Sequence, residues 1–342
     1  MAEVVPLLKT VDYHTAGEPF RIVTDGFPGA EGDTVATRRE LASRDDRIDA
    51  IRRALCHEPR GHADMYGGFI VPPDDDGAHF GVLFWHKDGF STACGHGTIA
   101  LGVWAVDSGL VAPSPDGTAE VVIDVPSGRV RAFVRCHRGR PQSVTFRNVA
   151  SYVLSRKVEV RVGGSAILAD ISYGGAIYAS VDASQLGLHV SPQMHSELIT
   201  VGREVKRALR GSPSADHPED PRLSGIYGTI LFEELADSSE GGDIHQRNVT
   251  IFADGQVDRS PCGSGTSARM AVLVDEDRMG LNGVLLHESI IGARFTGRVL
   301  DIVRVAGRNG VLTEVTGMAY LTGEHSFVVD PADPLGSGFV LR

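Results

Sequence analysis

The apolar positions of this chain fall mostly in short runs bounded by Gly, Pro and Asp, the pattern of β-strands. Phe20–Val23, Gly81–Trp85, Ala119–Ile123, Ser143–Phe146, Asn248–Phe252 and Phe327–Val329 are the clearest. Apolar residues at helical spacing are fewer, and predict helices at Thr37–Ala54, Thr98–Ser108, Ser191–Leu209 and Thr266–Met279. Strands therefore dominate. This predicts an α+β fold rather than a regular βαβ alternation. Ala112–Gly117 and Arg210–Asp220 are rich in turn residues, and Asp237–Asp243 is acidic with two glycines; all three are expected as loops. His245, just ahead of an expected strand, is placed in a surface loop.

One pattern occurs twice. Residues 94–100 read Cys-Gly-His-Gly-Thr-Ile-Ala and residues 262–268 read Cys-Gly-Ser-Gly-Thr-Ser-Ala, identical at five of seven positions and 168 residues apart. Each copy follows a strand pattern and a polar turn, and each precedes a helical pattern. A second echo sets Tyr66-Gly67-Gly68-Phe69-Ile70 beside Tyr173-Gly174-Gly175-Ala176-Ile177. Two related halves follow, each built as strand, loop, cysteine, helix.

The chemistry of one copy is simple. Glycines after the cysteine let the backbone approach a ligand closely. The first helical turn offers free N–H groups and a positive dipole end, so a carboxylate can sit there without an arginine. A cysteine at such a helix mouth is expected to have its thiol pKa lowered. With two copies facing each other, both mouths hold one amino-acid carboxylate and the sulfurs flank its Cα. One thiolate takes the α-proton and the other thiol returns a proton to the far face. The N–H groups of Gly95, His96, Gly263 and Ser264 are the candidate donors to the carboxylate as charge develops. No pyridoxal-type lysine motif is found, and no cofactor is expected.

Rival readings are weaker. Gly95-x-Gly97-x-x-Ala100 and Gly263-x-Gly265-x-x-Ala268 match a dinucleotide fingerprint, but no clear βαβ unit with an acidic residue about 20 positions on follows either. His96 is two residues from Cys94, too near in sequence for the usual spatially separate base of a cysteine peptidase. Cys56-His57 and Cys136-His137 match no common zinc spacing and are read as structural, so no metal is expected. Tyr66 and Tyr173 read as packed strand ends, and Phe69 and Phe90 as core.

Bulk properties narrow the partner. The net charge is −11, which gives nucleic-acid binding no electrostatic support. No basic amphipathic stretch or long apolar run points to a membrane. Met1–Pro6 lacks the features of a secretory signal. Four cysteines in 342 residues are too sparse for a disulfide framework, so reduced thiols in the cytoplasm are expected. The expected partner is a small-molecule substrate, and a homodimer is left open.

Four segments carry a resemblance: Asp12-Tyr-His-Thr-Ala-Gly-Glu-Pro19, Arg60-Gly-His-Ala-Asp-Met-Tyr-Gly-Gly68, Ala93–Gly97 and Asp254-Gly-Gln-Val-Asp-Arg-Ser-Pro-Cys-Gly-Ser-Gly-Thr-Ser-Ala268. From about Val11 to Leu341 the chain resembles the proline racemase family, which holds proline racemase, 4-hydroxyproline 2-epimerase and trans-3-hydroxy-L-proline dehydratase. The resemblance implies two similar α/β domains of the diaminopimelate epimerase-like fold, with the active site in the cleft. On the repeat, residues 1–150 form the half carrying Cys94, completed by about 317–342, and residues 151–316 form the half carrying Cys262. The resemblance further implies that Cys94 and Cys262 are the acid/base pair, and that Gly95, His96, Gly263 and Ser264 line the carboxylate pocket. Asp258 by itself reads as a turn residue; the resemblance gives it the substrate amine. His14 is expected to organise its loop.

The implied activity is cofactor-independent racemisation or epimerisation of proline or a hydroxyproline. Two features pull apart. The dehydratase branch usually has Thr at the second cysteine position, where this chain keeps Cys262. Arg60–Gly68 and Tyr227–Ile230 look more like the dehydratase branch, and no histidine stands near Tyr227, where the bacterial epimerases tend to carry one. The alternatives are a trans-3-hydroxy-L-proline dehydratase using Cys94 as base and, of another class, a non-catalytic amino-acid or anion-binding module with inert cysteines.

Overall fold

The computed structural model describes residues 8–236 and 243–341. Met1–Pro6 and all but the last residue of the acidic segment Asp237–Asp243 lie outside them. The first part of the chain runs β1 (Leu8–Thr15), β2 (Glu18–Asp25), α1 (Val35–Ala42), α2 (Asp46–Cys56), β3 (Gly67–Val71), β4 (Phe80–His86) and β5 (Gly89–Phe90). It continues with α3 (Gly95–Asp107), β6 (Asp116–Val125), β7 (Gly128–His137), β8 (Arg140–Arg147) and β9 (Ser151–Val162). Then follow β10 (Ser165–Tyr173), β11 (Ile177–Asp182), α4 (His195–Ala208), β12 (Ile226–Glu234), β13 (Ile244–Phe252) and β14 (Gln256–Val257). The chain closes with α5 (Gly263–Asp275), β15 (Val284–Ser289), β16 (Arg294–Val305), β17 (Arg308–Gly317) and β18 (Ala319–Phe327).

The pairing repeats with a period of nine strands. β1 is antiparallel to β2, β2 parallel to β3, β3 antiparallel to β4, and β4 parallel to β6. The same holds for β10–β11, β11–β12, β12–β13 and β13–β15. The short returns β4–β5 and β13–β14, each leading into a cysteine, correspond as well. The last strand of each nine crosses over: β9 pairs with β10, and β18 pairs with β1. The two series meet where β8 lies antiparallel to β17. This is the expected α+β architecture of two similar units.

The echo at Tyr66 and Tyr173 is not part of this repeat. Tyr66 precedes β3, whereas Tyr173 ends β10, the counterpart of β1. Both Gly-Gly pairs serve local needs. Gly67 and Gly68 lie in a strand under Trp85 and Phe20, while Gly175 turns the chain at φ +91°.

The expected helices exist, with shifted ends. Thr37–Ala54 is two helices, because Asp45 caps α2 by accepting from the Arg47 N–H at 2.9 Å. α3 and α5 start three residues earlier than their apolar patterns, inside the glycines of the two motifs. α5 also ends earlier than expected, just before Asp277 takes φ +56°. β18 stops at Phe327, short of Val329.

α3 and α5 are central. Each buries eleven of its thirteen residues, as a helix without a polar face must. Ile99, Leu101 and Val103 of α3 share one core with Met270 and Leu273 of α5, over Val121, Val134, Phe295 and Val315. A second core packs Leu198, Val201 and Val205 of α4 on Ile171, Val181, Val249 and Ile251. Among the described residues no helix is long and apolar enough to cross a membrane.

Candidate active site

Each motif residue has a separate job. Cys94 is the N-cap of α3, extended at φ −156°, and its Sγ accepts from the Gly97 N–H at 3.2 Å. Cys262 holds the same place before α5 but at φ +64°, a conformation L side chains rarely adopt. In both copies the threonine four residues on donates its hydroxyl to the cysteine carbonyl, at 2.8 Å. The second glycine makes room for sulfur: a Cβ on Gly97 or Gly265 would stand 2.8 Å from Sγ of Cys94 or Cys262. The first glycine lets the two mouths touch, since a Cβ on Gly95 would stand 2.6 Å from Gly263 Cα and Ser264 N.

One enclosed cavity takes a cysteine from each copy. Cys94, Gly95, His96, Asp258, Cys262 and Ser264 line it, and Gly263 stands behind them against Gly95. The rest of the wall comes from Tyr66, Ala93, Tyr178, Tyr227, Thr250 and Phe252. The room inside is about 10 Å³, close to one water, so a five-membered ring enters only when the wall parts.

Electrostatics differ from the expectation at one point. Burial pushes the Cys94 thiol well above its ordinary value and the Cys262 thiol up to about 12, rather than down. Loss of water outweighs the helix mouths, and the nearby Asp258 adds to it. His96 lies beside Cys94, with Nδ1 at 3.4 Å and Nε2 at 3.6 Å from Sγ, so closeness in sequence does not keep them apart. These near-equal distances aim neither nitrogen squarely at the sulfur, and burial lowers the imidazole to about 3, hence neutral. Burial raises Asp258 to about 6, against two bonds from Ser260 at 2.7 and 2.8 Å. Glu18, fully buried, is raised well above the carboxylate range by burial and then by Asp258.

Two segments of the first half clamp the loop that carries Cys262. Glu18 accepts from the Arg259 N–H at 2.7 Å. Asp64 accepts from the Val257 N–H at 3.1 Å and from Arg259 Nη2 at 2.8 Å. Thr15 donates to the His96 carbonyl at 2.9 Å, which ties the same hairpin to the other mouth. His14 accepts from the Gly17 N–H at 3.2 Å and so orders the β1–β2 turn.

Other residues fall elsewhere. Cys56 and Cys136 sit in different cores, so their histidine neighbours form no quartet. Phe69 and Phe90 are core. His245 is not in a surface loop: β13 begins at Ile244, and its side chain is 9% exposed, 3.6 Å from Glu288. The polar start of that strand hid it: His245, Gln246, Arg247 and Asn248 show no apolar alternation, although the segment pairs with β15 inside the sheet. Tyr66, Tyr178, Tyr227 and Thr250 were missed as wall residues. Tyr178, Tyr227 and Thr250 come from β11, β12 and β13 and Tyr66 from the residue before β3, and only the three-dimensional pairing brings them together.

The family model described as proline racemase matches residues 10–340. A trans-3-hydroxy-L-proline dehydratase of Colwellia psychrerythraea is 43% identical over 98% of this chain and 93% of its own. A 3-hydroxyproline 2-epimerase of Burkholderia multivorans is 43% identical over 98% of both chains. A crystal structure of a hydroxyproline epimerase from Agrobacterium vitis, with bound trans-4-hydroxy-L-proline, superposes with a TM-score of 0.91 at 30% identity, covering 98% of this chain and 96% of that one.

Proposed function

We propose, from the premise that this chain belongs to the proline racemase family, that it epimerises 3-hydroxyproline at Cα without a cofactor. The observation that carries the reading is the cavity itself, which takes one cysteine and one helix mouth from each copy of the motif. The substrate carboxylate sits at the N–H groups of Gly95, His96, Gly263 and Ser264. Asp258, ionised above about pH 6, pairs with the substrate ammonium. That cation offsets the cost of a thiolate in a buried site, so one of Cys94 and Cys262 ionises when substrate is bound. It takes the α-proton, and the other thiol protonates the opposite face. Charge that builds on the carboxylate is met by donors already in place.

One line supports the ring position and a second supports the reaction. The 3-hydroxyproline 2-epimerase is 43% identical over almost the whole chain, and a second thiol at Cys262 is what reprotonation on the far face requires. The dehydratase relative favours a second reading, in which Cys94 alone removes the α-proton and the 3-hydroxyl leaves. Incubation with trans-3-hydroxy-L-proline in D2O separates the two. Epimerisation gives the C2 epimer deuterated at Cα, seen by chiral chromatography; elimination gives a cyclic imine. Cys262→Thr is expected to stop epimerisation and spare any elimination, and Cys94→Ser to stop both. Exchange with neither this substrate, L-proline nor trans-4-hydroxy-L-proline overturns the reading and leaves an inert binding module.

The cleft then lies between residues 1–150 with 317–342 and residues 151–316, a division supported by the pairing of β18 with β1 and of β9 with β10. The proposed setting is a reducing cytoplasm, which keeps the four free cysteines as thiols. The assembly is a monomer or a homodimer, which light scattering distinguishes.

A further inference from the structure

Three hydroxyls behind Cys94 form a chain with a direction. Ser91 Oγ donates to the Ala93 carbonyl at 3.4 Å, an acceptor and nothing else. Ser91 has one proton, so in its short bond to Tyr66 it accepts. Tyr66 has then used its own proton, and in its 3.1 Å bond with Tyr227 it accepts as well. Every proton of the chain thus points away from Tyr227, whose hydroxyl oxygen keeps only lone pairs. No donor among the described residues reaches that oxygen. Tyr227 lines the cavity, half-buried, stacked 5.8 Å from Phe252 and packed on the clusters of both cysteines. Tyr66 comes from the first half and Tyr227 from the second, so this bond also spans the cleft.

An acceptor facing a small cavity needs a donor. A carboxylate cannot supply one, the ammonium is assigned above to Asp258, and the methylene of an unsubstituted ring supplies none. A ring hydroxyl does. Tyr227 lines the same small cavity as Cys94, Cys262 and Asp258, the groups assigned above to Cα and its amine. A hydroxyl on the carbon bonded to Cα stays within that small cavity, one bond nearer to Cα than a hydroxyl on the next carbon. We propose that Tyr227, held by Tyr66, accepts the hydrogen bond of the substrate 3-hydroxyl and thereby selects a 3-hydroxylated ring. This rests on the proposed substrate class and names the residue that reads it. A site built to bond a hydroxyl disfavours the analogue lacking it, because its own polar atom is left dry.

The test measures kcat/KM for Cα exchange in D2O with trans-3-hydroxy-L-proline, trans-4-hydroxy-L-proline and L-proline. Tyr227→Phe is expected to lose about 10–100-fold on the 3-hydroxy substrate, the usual range for one lost bond of this kind, and clearly less on L-proline, so that the ratio of the two falls. Tyr66→Phe frees the Tyr227 proton and shifts the ratio in the same direction by less; it carries the test if Tyr227→Phe does not fold. Equal losses on all three substrates make Tyr227 a wall residue and overturn the proposal, as does a loss confined to the 4-hydroxy substrate. Failure of the underlying reading looks different: the wild-type protein then exchanges none of the three, and the selectivity assignment goes with it.

Discussion

Cys262 combines two costs that Cys94 avoids. It holds φ +64° with a side chain, and its sulfur caps its helix less closely than Cys94 does, with the Tyr178 hydroxyl 3.7 Å away. Strain of this kind persists only where the surroundings impose it, here the clamp of Glu18 and Asp64 on the loop. Burial raises its thiol from 9.0 to about 12, so the reactive thiolate gains population only as pH climbs past the ordinary range. Iodoacetamide labelling of the ligand-free protein, followed at the Cys262 peptide by mass spectrometry, is therefore expected to be slow at pH 7 and still rising above pH 10. A plateau below pH 9 would mean that the helix mouth, not burial, governs the sulfur.

Both motif helices meet mouth to mouth through glycine, and that contact sets how close the two sulfurs come. A Cβ on Gly263 would lie 2.8 Å from Gly95 Cα, backbone that cannot rotate away. Gly263→Ala is expected to cost about 1–3 kcal/mol as overpacking, read by urea unfolding, and to suppress Cα exchange by parting the mouths. Gly280→Ala, with nothing within 4 Å of its new Cβ, is the control and should stay within about 0.5 kcal/mol. The two cysteines and their glycines were legible in the sequence because they occur twice. The starts of α3 and α5 were not, since the apolar pattern begins only after those glycines. Tyr66 was taken as a strand end because its neighbours reveal packing, not what faces it across a cleft. Tyr178 and Thr250 carry no local signal at all; they reach the cavity through the order of β11, β12 and β13.

At the scale of the whole molecule the strand pairing closes on itself. β10 meets its partner β9 three residues earlier in the chain, whereas β1 must wait for β18, more than three hundred residues later. Thr322 reinforces the distant pair by donating to the Asp12 carbonyl at 2.9 Å. A chain ending at Gly317 is expected to lose amide protection along β1 and keep it along β10, measured by hydrogen exchange; equal protection of the two would refute the account. The same arrangement sets an order of events during synthesis. A ribosome adds roughly 5–20 residues per second, so on the order of 10–40 s pass between the emergence of β8 and that of β18. Residues 151–317 hold both partners of β10 and can settle as they emerge. The half that is made first is thus finished last, and for that interval β1 offers its open edge to any other nascent chain nearby.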